Sequence, residues 1–334
     1  MADRKLASVR IIKDIQPIEG ADAIEVATVD GWKVVVKKDE FEINDPCVYF
    51  EVDSFLPIKE EFEFLRKSSY RDVEGLGEGF RLRTIKLRGQ VSQGLIIPIE
   101  QAGLIEYYVG MDVTEYLGVK KYEPPIPAQL AGQVRGSFPS FIPKTDQERI
   151  QNCYDTIDQG MFYEETMKLD GTSCTIFKYE GELRVCSRNL ELKVNEENAN
   201  NSLVKMALDI ENRLQNVDNV AFQGELMGPG IQKNREGFSE HRFFVFDVYD
   251  IKQSRYLAPW ERRELVERLG LEHVPVLNNA ARPSSYDEMM EKVTSLKSMV
   301  HPIAEGTVWK ANSHTLGMQS FKIISNRFLL KEED

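Results

Sequence analysis

The sequence predicts an α+β protein with two domains, the first a small β-barrel and the second a mixture of strands and helices. The 334 residues exceed the roughly 250 at which a single hydrophobic core usually stops growing. Short alternating or β-branched runs separated by turn signals extend to residue 117, a pattern typical of a small barrel. Beyond residue 144 strand-like runs alternate with helix-like segments. We therefore predict domains at 1–117 and 145–334, joined by a linker at 118–144.

The first domain is predicted to consist of short strands. These cover residues 6–12, 23–29, 32–37, 47–52, 80–87 and 94–98. Asp30-Gly31 separates the second strand from the third, and this dipeptide favours a two-residue hairpin turn. The linker is interrupted too often by proline and glycine to hold regular structure. The interrupting residues are Pro124, Pro125, Pro127, Gly132, Gly136, Pro139 and Pro143.

The second domain is predicted to combine strands with three helices. The strands cover residues 162–167, 173–179, 183–187, 220–226 and 242–248, and the helices cover 203–214, 259–269 and 286–300. Pro259 suits the first turn of a helix, and Ser285 and Glu288 have the spacing of a capping box.

The net charge and the distribution of cysteines limit the possible functions and locations of the protein. A net charge of -12 excludes a chain-wide polyanion binder, so nucleic-acid contacts require local basic patches. Residues 81–88 and Lys33, Lys37 and Lys38 form such a patch, and we favour a nucleic-acid-binding face over the alternative that these charges only solubilise the barrel or pack it against the second domain. The scattered cysteines and histidines form no zinc motif, and they indicate an intracellular protein, cytoplasmic or nuclear. No apolar run approaches the ~18 residues of a membrane span.

Five sequence blocks follow Lys168-Leu169-Asp170-Gly171 in an order that could build a nucleotide-transfer site. They are Ser187-Arg188-Asn189, Gln223-Gly224-Glu225-Leu226, Phe244-Val245-Phe246-Asp247, Glu305-Gly306 and Ser320-Phe321-Lys322. Lys-x-Asp-Gly alone is a weak motif, and only the ordered series is specific.

Each block has a chemical interpretation and a structural alternative. A lysine attacks phosphorus only as the free amine, so we expect the pKa of Lys168 to be lowered. Three carboxylates, Asp170, Glu225 and Glu305, suit a hydrated Mg²⁺ held partly through water. Arg188 and Lys322 are candidate phosphate donors, and Phe244 and Phe246 are candidates for stacking on a purine. The alternatives are solvated charges and a buried aromatic pair, which we prefer for Phe244.

Residues 160–331 resemble the nucleotidyltransferase domain shared by ATP-dependent DNA ligases, RNA ligases and mRNA capping enzymes. The spacing is most similar to RNA ligases of the double-strand, nick-sealing type. Residues 31–38, 48–54 and 87–94 look like the N-terminal OB module of one RNA ligase subfamily. The resemblance implies an OB-type β-barrel followed by a ligase adenylation domain of antiparallel sheets and flanking helices. Only about a dozen residues follow Lys322, so we expect no further OB domain there, unlike in DNA ligases and capping enzymes.

The resemblance implies an ATP-dependent RNA ligase that uses Mg²⁺ or Mn²⁺ and acts in RNA repair. AMP would pass from ATP to a lysine and then to a 5′-phosphate end, which is sealed to a 3′-hydroxyl. The implied partner is nicked duplex RNA or an RNA/DNA hybrid, bound by a monomer. The implied catalytic residues are Lys168, Asp170, Arg188, Glu305 and Lys322. The implied nucleotide-binding residues are Glu165, Thr166, Met167, Gly171, Arg188, Glu225, Phe246, Lys310 and Lys322, and the implied metal ligands are Asp170, Glu225 and Glu305.

One position departs from the family pattern. Several RNA ligases carry a second lysine two residues after the first in the last motif, where this chain has Ile324. Lys310 and Arg327 are candidates to replace it, and Lys144 and Arg149 also resemble a phosphate- or RNA-binding block. A guanylyltransferase or DNA ligase using the same lysine, and a non-catalytic RNA-binding protein, remain as alternative functions.

Overall fold

The computed structural model describes residues 5–73, 75–122, 133–311 and 320–331. The chain divides into two compact units, Met1–Ile126 and Pro127–Asp334. Part of the predicted linker, residues 123–132 with Pro124, Pro125, Pro127 and Gly132, lies outside the described residues. Within those described ranges, no helix is long and apolar enough to cross a membrane.

The described part of the first unit is built from short strands. They are β1 (Ala7–Pro17), β2 (Ile24–Val29), β3 (Trp32–Lys37), β4 (Pro46–Phe50), β5 (Ser54–Leu56), β6 (Tyr70–Val73), β7 (Gly77–Arg81), β8 (Thr84–Leu87), β9 (Gln90–Gln93), β10 (Leu95–Pro98) and β11 (Lys120–Lys121). They form a five-stranded sheet in the order β10-β4-β1-β2-β3, a four-stranded sheet β11-β5-β7-β6, and the hairpin β8-β9. A 3₁₀ turn at Glu60–Leu65 leads into the short helix α1 (Arg66–Ser69).

The alternating pattern of the first unit fills a core of large side chains, which include Trp32, Phe50 and Phe80, all 0% exposed. The predicted hairpin is confirmed: Val29 pairs with Trp32, and Asp30 adopts the positive φ of 52° that such turns need. Strand β1 continues past the predicted end because a bulge between Ile12 and Asp14 shifts the alternation that marks a strand in the sequence.

The single strand predicted at 80–87 is wrong, because the chain changes sheets at Leu82. The Leu82 amide donates to the Ser54 carbonyl at 2.9 Å, and its carbonyl accepts from Asp53 at 3.0 Å. Strand β7 therefore ends at Arg81, and β8 begins at Thr84 as part of a separate two-stranded hairpin.

The second unit places helices against two sheets. The described strands are β12 (Val134–Ser137), β13 (Glu148–Arg149), β14 (Tyr163–Lys168), β15 (Thr172–Tyr179), β16 (Glu182–Cys186), β17 (Leu190–Leu192), β18 (Val220–Met227), β19 (Arg242–Asp250), β20 (Arg255–Tyr256), β21 (Glu272–His273), β22 (Val276–Ala281), β23 (Gly306–Ala311) and β24 (Ser320–Ile324). The helices are α2 (Ile150–Cys153), α3 (Ser202–Ile210), α4 (Pro259–Arg268), α5 (Tyr286–Ser295) and α6 (Asn326–Leu330). One sheet has the order β12-β17-β16-β15-β18-β19-β20 with β21 beside β19, and the other has the order β13-β24-β23-β14-β22. Most strand pairs are antiparallel, which confirms the α+β class.

Each sheet has its own helical cover. Helices α3 and α4 pack Val204 and Val266 into the core of the larger sheet, and α5 packs Met289 and Val293 onto the smaller one beside Trp309. The strands β14, β18 and β23 also have ends that lie close together, because Lys168 contacts Glu305 and the Gly171 amide contacts Glu225.

Helix α5 is shorter than the predicted 286–300 and ends at Ser295. The capping box of Ser285 and Glu288 forms at its N-terminus as expected. Beyond its end, the buried Glu236 accepts hydrogen bonds from the amides of Val300 (2.6 Å) and His301 (3.2 Å). Residues 300 and 301 therefore lie in a loop, where their amides donate to a side chain rather than to helix carbonyls. Sequence periodicity does not predict such long-range hydrogen bonds.

Candidate active site

Lys168 is the centre of a cluster of charged side chains at the end of β14. Its ladder partner is Gly306, the first residue of β23. Glu305 directly precedes that glycine, and its Oε1 lies 2.6 Å from the Lys168 Nζ. A side chain at position 306 would overlap the carbonyl oxygen of Ile323, so a glycine is needed there for the strands to approach one another.

The glycine after Asp170 ties the cluster to β18. The Gly171 amide donates to Glu225 Oε1 at 3.1 Å, and a Cβ on Gly171 would lie 2.9 Å from both Glu225 Cγ and Met227 Cγ. The structure therefore brings together Lys168, Asp170, Glu225 and Glu305, which the sequence analysis had selected from positions far apart in the chain.

The charges in this cluster are unbalanced. Burial alone would lower the pKa of Lys168, but the carboxylates of Glu305 and Glu225, with Asp170, outweigh burial and raise it. The expected lowered pKa is therefore wrong for Lys168 among these carboxylates, which hold its pKa above the ordinary value. Burial, with the nearby Glu305 charge, raises the pKa of Asp170. Burial also raises the pKa of Glu225 to about 7.

A divalent cation fits this surplus of negative charge, because three carboxylates face a single lysine. Within the described ranges, however, no three His, Cys, Asp or Glu side chains are arranged to hold a metal directly. The carboxylates are thus suited to coordination partly through water, and the assignment of metal ligands stays a prediction.

The other predicted residues of β14 contribute in different ways. Thr166 is buried and donates its hydroxyl to the Val308 carbonyl at 3.3 Å. Met167 lies in the same apolar cluster as Phe246. The Glu165 side chain is 0% exposed and pairs with Lys292 of α5 at 2.5 Å. Alternation along β14 directs the Glu165 side chain to the opposite face of the strand from Lys168.

Phe246 lies at a bulge, where β19 skips one residue of its pairing with β18. Bulges of this kind redirect a side chain next to functional sites. The Phe246 ring is only partly buried and packs near Met167. Phe244 is 3% exposed, which confirms the preference for a core role at that position.

Lys310, predicted to bind nucleotide, holds the backbone of Phe246. Its Nζ donates to the Phe246 carbonyl at 2.7 Å and lies 2.6 Å from Asp247 Oδ2. Burial lowers the pKa of Lys310 to about 8, although Asp247 opposes that shift. The described contacts direct this amine to Asp247 rather than to the Lys168 cluster.

A buried ion network behind Lys310 was not foreseen. Arg262 of α4 is 1% exposed and bonds to Glu164 of β14, and its Nη1 is 3.5 Å from Asp247. Its Nε donates to His273 at 2.9 Å. The network links the two sheets beneath Phe246. No sequence signal identified it, because its members lie on four separate elements.

The remaining predicted cations lie at other positions. Arg188 is exposed in the turn after β16 and pairs with Asp146 at 2.6 Å. Lys144 donates to Asn189 at 3.2 Å, in the same turn. Arg149 is buried on β13 next to Lys322 of β24, its partner in register. No described contact joins Arg188 or Lys144 to the Lys168 cluster.

The loop before β19 supplies three residues that the sequence analysis missed. Gln232 donates to the Gly171 carbonyl at 3.1 Å, Arg235 approaches Asp170 at 4.0 Å, and Glu236 holds the loop after α5. The glycine, proline and asparagine of this segment indicate only a loop, so its sequence gives no sign that it closes over the motif of Lys168.

In the first unit, the hairpin β8-β9 concentrates positive charge. Residues 79–99 contain Arg81, Arg83, Lys86 and Arg88 and no acidic residue. Arg83 and Arg88 are exposed, and no described residue forms a hydrogen bond, ion pair or ring contact with either guanidinium. Part of the predicted basic strand therefore lies in a hairpin, with the exposed side chains of Arg83 and Arg88 at the two ends of β8.

The comparisons with known proteins agree with this architecture. A family model described as RNA ligase matches residues 162–324, and one described as an OB-fold domain matches residues 6–99. An apo mutant of Naegleria gruberi RNA ligase is 41% identical, with 99% of each chain covered and a TM-score of 0.90. A mutant of that ligase with ATP and Mn is 40% identical over 97% of this chain and 98% of the other, with a TM-score of 0.88. The same ligase with PPi is 41% identical over 98% of this chain and 99% of the other, with a TM-score of 0.84.

No curated protein sequence gave a match. The family resemblance predicted from the motifs is nevertheless confirmed by identity over nearly the full length of both chains. With an N-terminal OB-fold domain followed by the matched ligase domain, the chain belongs to the RNA ligase family.

Proposed function

We propose that this protein is an ATP-dependent RNA ligase that seals a 5′-phosphate to a 3′-hydroxyl through a covalent lysyl-AMP. The observation that carries the proposal is the partly buried Lys168 Nζ, 2.6 Å from Glu305 and flanked by Glu225 and Asp170. Related structures of Naegleria gruberi RNA ligase contain AMP, ATP or PPi, most of them with Mn, which supports ATP as the nucleotide.

In the first step the Lys168 Nζ attacks the α-phosphorus of ATP. A phosphorus–nitrogen bond forms, the bond to the bridging oxygen of the β-phosphate breaks, and pyrophosphate leaves. The ammonium must first lose a proton, and Glu305 Oε1 is the acceptor nearest to it. A divalent metal held by Asp170, Glu225 and Glu305 would neutralise phosphate charge and lower the pKa of the lysine.

The resemblance assigns the nucleotide contacts. Phe246 would stack on adenine from its position at the bulge, and Glu225 would hold the ribose. Lys322 and Arg188 would contact phosphates, and for the exposed Arg188 this requires that it leave Asp146. The backbone of residues 165–167 would border the base, since the Glu165 side chain is already paired with Lys292.

The later steps act on the polynucleotide. AMP passes from Lys168 to a 5′-phosphate, and attack by the 3′-hydroxyl then releases AMP and seals the strand. We propose nicked duplex RNA or an RNA/DNA hybrid as the substrate, bound by a monomer. Residues 1–117 would form the RNA-binding domain, and the outward cations of β8-β9 would contact its phosphates. Residues 145–334 would carry out the chemistry.

The test is to incubate the protein with Mg²⁺ and either ATP or GTP, and to locate any adduct by intact-mass and peptide-mass analysis. We expect an AMP adduct on Lys168 with ATP. Lys168→Ala should abolish it, whereas Lys178→Ala, which removes a lysine from β15, should leave it unchanged. A GMP adduct would support capping chemistry, and no adduct with either nucleotide would refute the proposal.

A further inference from the structure

Arg235 presents unused hydrogen-bond donors to the Lys168 cluster. Its Nη1 lies 4.0 Å from Asp170 Oδ2, beyond hydrogen-bonding distance. Its Nη2 donates to His301 Nδ1 at 3.0 Å and lies 3.4 Å from the Ile303 carbonyl. In the part of the chain that the structure describes, neither Nη1 nor Nε has an acceptor within hydrogen-bonding distance. A guanidinium has five N–H donors, so several remain for a ligand beside Asp170.

The loop that carries Arg235 is braced at several points. Gln232 bonds to the Gly171 carbonyl at 3.1 Å, and Asn234 bonds to both the amide and the carbonyl of Phe238 at 3.1 and 2.9 Å. Glu236 is 6% exposed and accepts from the loop after α5. The Arg235 guanidinium also lies 4.9 Å from the centre of the Phe328 ring. Its position is therefore held by its surroundings, as a ligand-binding side chain requires.

The charge balance explains what such a cation would bind. Lys168 faces three carboxylates, and a phosphoryl group that enters beside it adds more negative charge. Positive donors are needed to hold that group, and arginine suits phosphate oxygens because its donors match them in pairs. The adjacent strands offer no cation at the positions that pair with Lys168. Lys168 pairs with Gly306 of β23, which in turn pairs with the apolar Ile324 of β24. Arg235 supplies one from a different element.

We propose that Arg235 is a phosphate-binding residue whose Nη1 and Nε donate to oxygens of the phosphoryl group next to Lys168. This inference rests on the proposed ligase function. The ligand is a phosphoryl oxygen of either the pyrophosphate half of ATP or the 5′-phosphate of the polynucleotide. His301 and Phe328 act as positioning residues that orient the guanidinium.

Equilibrium binding tests the proposal without requiring turnover. Calorimetry would compare two probes, pyrophosphate with Mg²⁺ and a short 5′-phosphorylated oligoribonucleotide. Arg235→Met keeps the stem against Phe328 but removes the donors, and we expect it to weaken at least one probe roughly 10- to 100-fold. Arg235→Lys should recover part of the loss. The matched control is Arg255→Ala, which removes an arginine paired with Glu261 in the same unit and should leave both affinities unchanged.

The pattern of losses identifies the source of the phosphate. A loss confined to pyrophosphate assigns Arg235 to the tail of ATP, and a loss confined to the oligonucleotide assigns it to the 5′-phosphate. Wild-type affinity for both probes would overturn the proposal. Thermal unfolding monitors the fold, and if Arg235→Met is destabilised, Arg235→Gln replaces it.

A positioning role through Asp170 is tested separately. The same probes are measured with Asp170→Asn and with the double variant Asp170→Asn/Arg235→Met. A direct contact predicts that the loss persists in the Asp170→Asn background, whereas its disappearance would mean that Arg235 acts only by holding Asp170, against the proposal. The lysyl-AMP adduct on the wild-type protein is measured independently, so failure of the ligase function itself would be recognised as such.

Discussion

Gly306→Ala tests whether backbone packing sets the geometry around Lys168. Gly306 lies between Lys168 and Ile324 in the sheet. A Cβ at this position would overlap the Ile323 carbonyl oxygen and lie 3.0 Å from the Ile324 Cα. Strands β23 and β24 would have to separate by roughly 1 Å to restore van der Waals distances. Overpacking usually costs about 1–3 kcal/mol, and we expect the upper end because the atoms met are backbone rather than flexible side chain.

The overpacking caused by Gly306→Ala should lower both the thermal stability and the rate of lysine adenylation. For a unit of this size, about 3 kcal/mol lowers the thermal midpoint by about 6–12 °C. Glu305 adjoins the substituted residue, so its 2.6 Å contact with Lys168 moves as well. A displacement of about 1 Å in a reacting group can cost roughly 100-fold in rate. We therefore expect lysyl-AMP formation to slow by about that factor.

The assay is a time course of the AMP adduct by intact mass, run beside thermal unfolding. Gly136→Ala is the matched control, because a Cβ on this strand glycine meets nothing within 4 Å. The control should keep both the midpoint and the rate of the parent protein. If Gly306→Ala also kept both, the reasoning from backbone contact would be refuted.

Three further predictions test charge. Burial raises the pKa of Glu225 to about 7 from 4.5, so the stability that Glu225 contributes is full below pH 4.5 and is lost as the pH rises through 7. Glu225→Gln should therefore raise the thermal midpoint at about pH 8 but not at pH 4.5. An equal gain at both pH values would contradict the assignment. Lys310→Met leaves Asp247 with less compensation for its buried charge, so we expect a loss of about 3–5 kcal/mol in urea unfolding; a loss below about 1 kcal/mol would mean that the pair behaves like an exposed one. Replacing Arg83 and Arg88 by alanine should lower the salt dependence of nicked-RNA binding by about two phosphate contacts without slowing lysine adenylation, whereas equal losses in both would indicate a folding defect.

Local sequence patterns determined several turns and helix ends of this protein, and the order of its motifs determined its family. The Asp30-Gly31 turn and the capping box of Ser285 and Glu288 depend on residues close together in the chain, and both form as predicted. The ordered blocks from Lys168 to Lys322 also predicted the family correctly. They succeeded because a lysine, a turn-forming glycine and spaced carboxylates are each required by the same chemistry, so their order carries information that single residues lack.

The tertiary structure alone decided which side chains meet. Glu165 pairs with Lys292, 127 residues away, and Lys310 meets Asp247 from a different sheet. The pKa of Lys168 is raised because three carboxylates converge on it from separate elements, whereas the sequence argument considered the lysine largely by itself. Arg235 approaches Asp170 only because the loop before β19 folds back against the turn between β14 and β15. Hydrophobic periodicity specifies the face of a strand, but long-range contacts and local charge follow from strand register and loop closure, which periodicity does not encode.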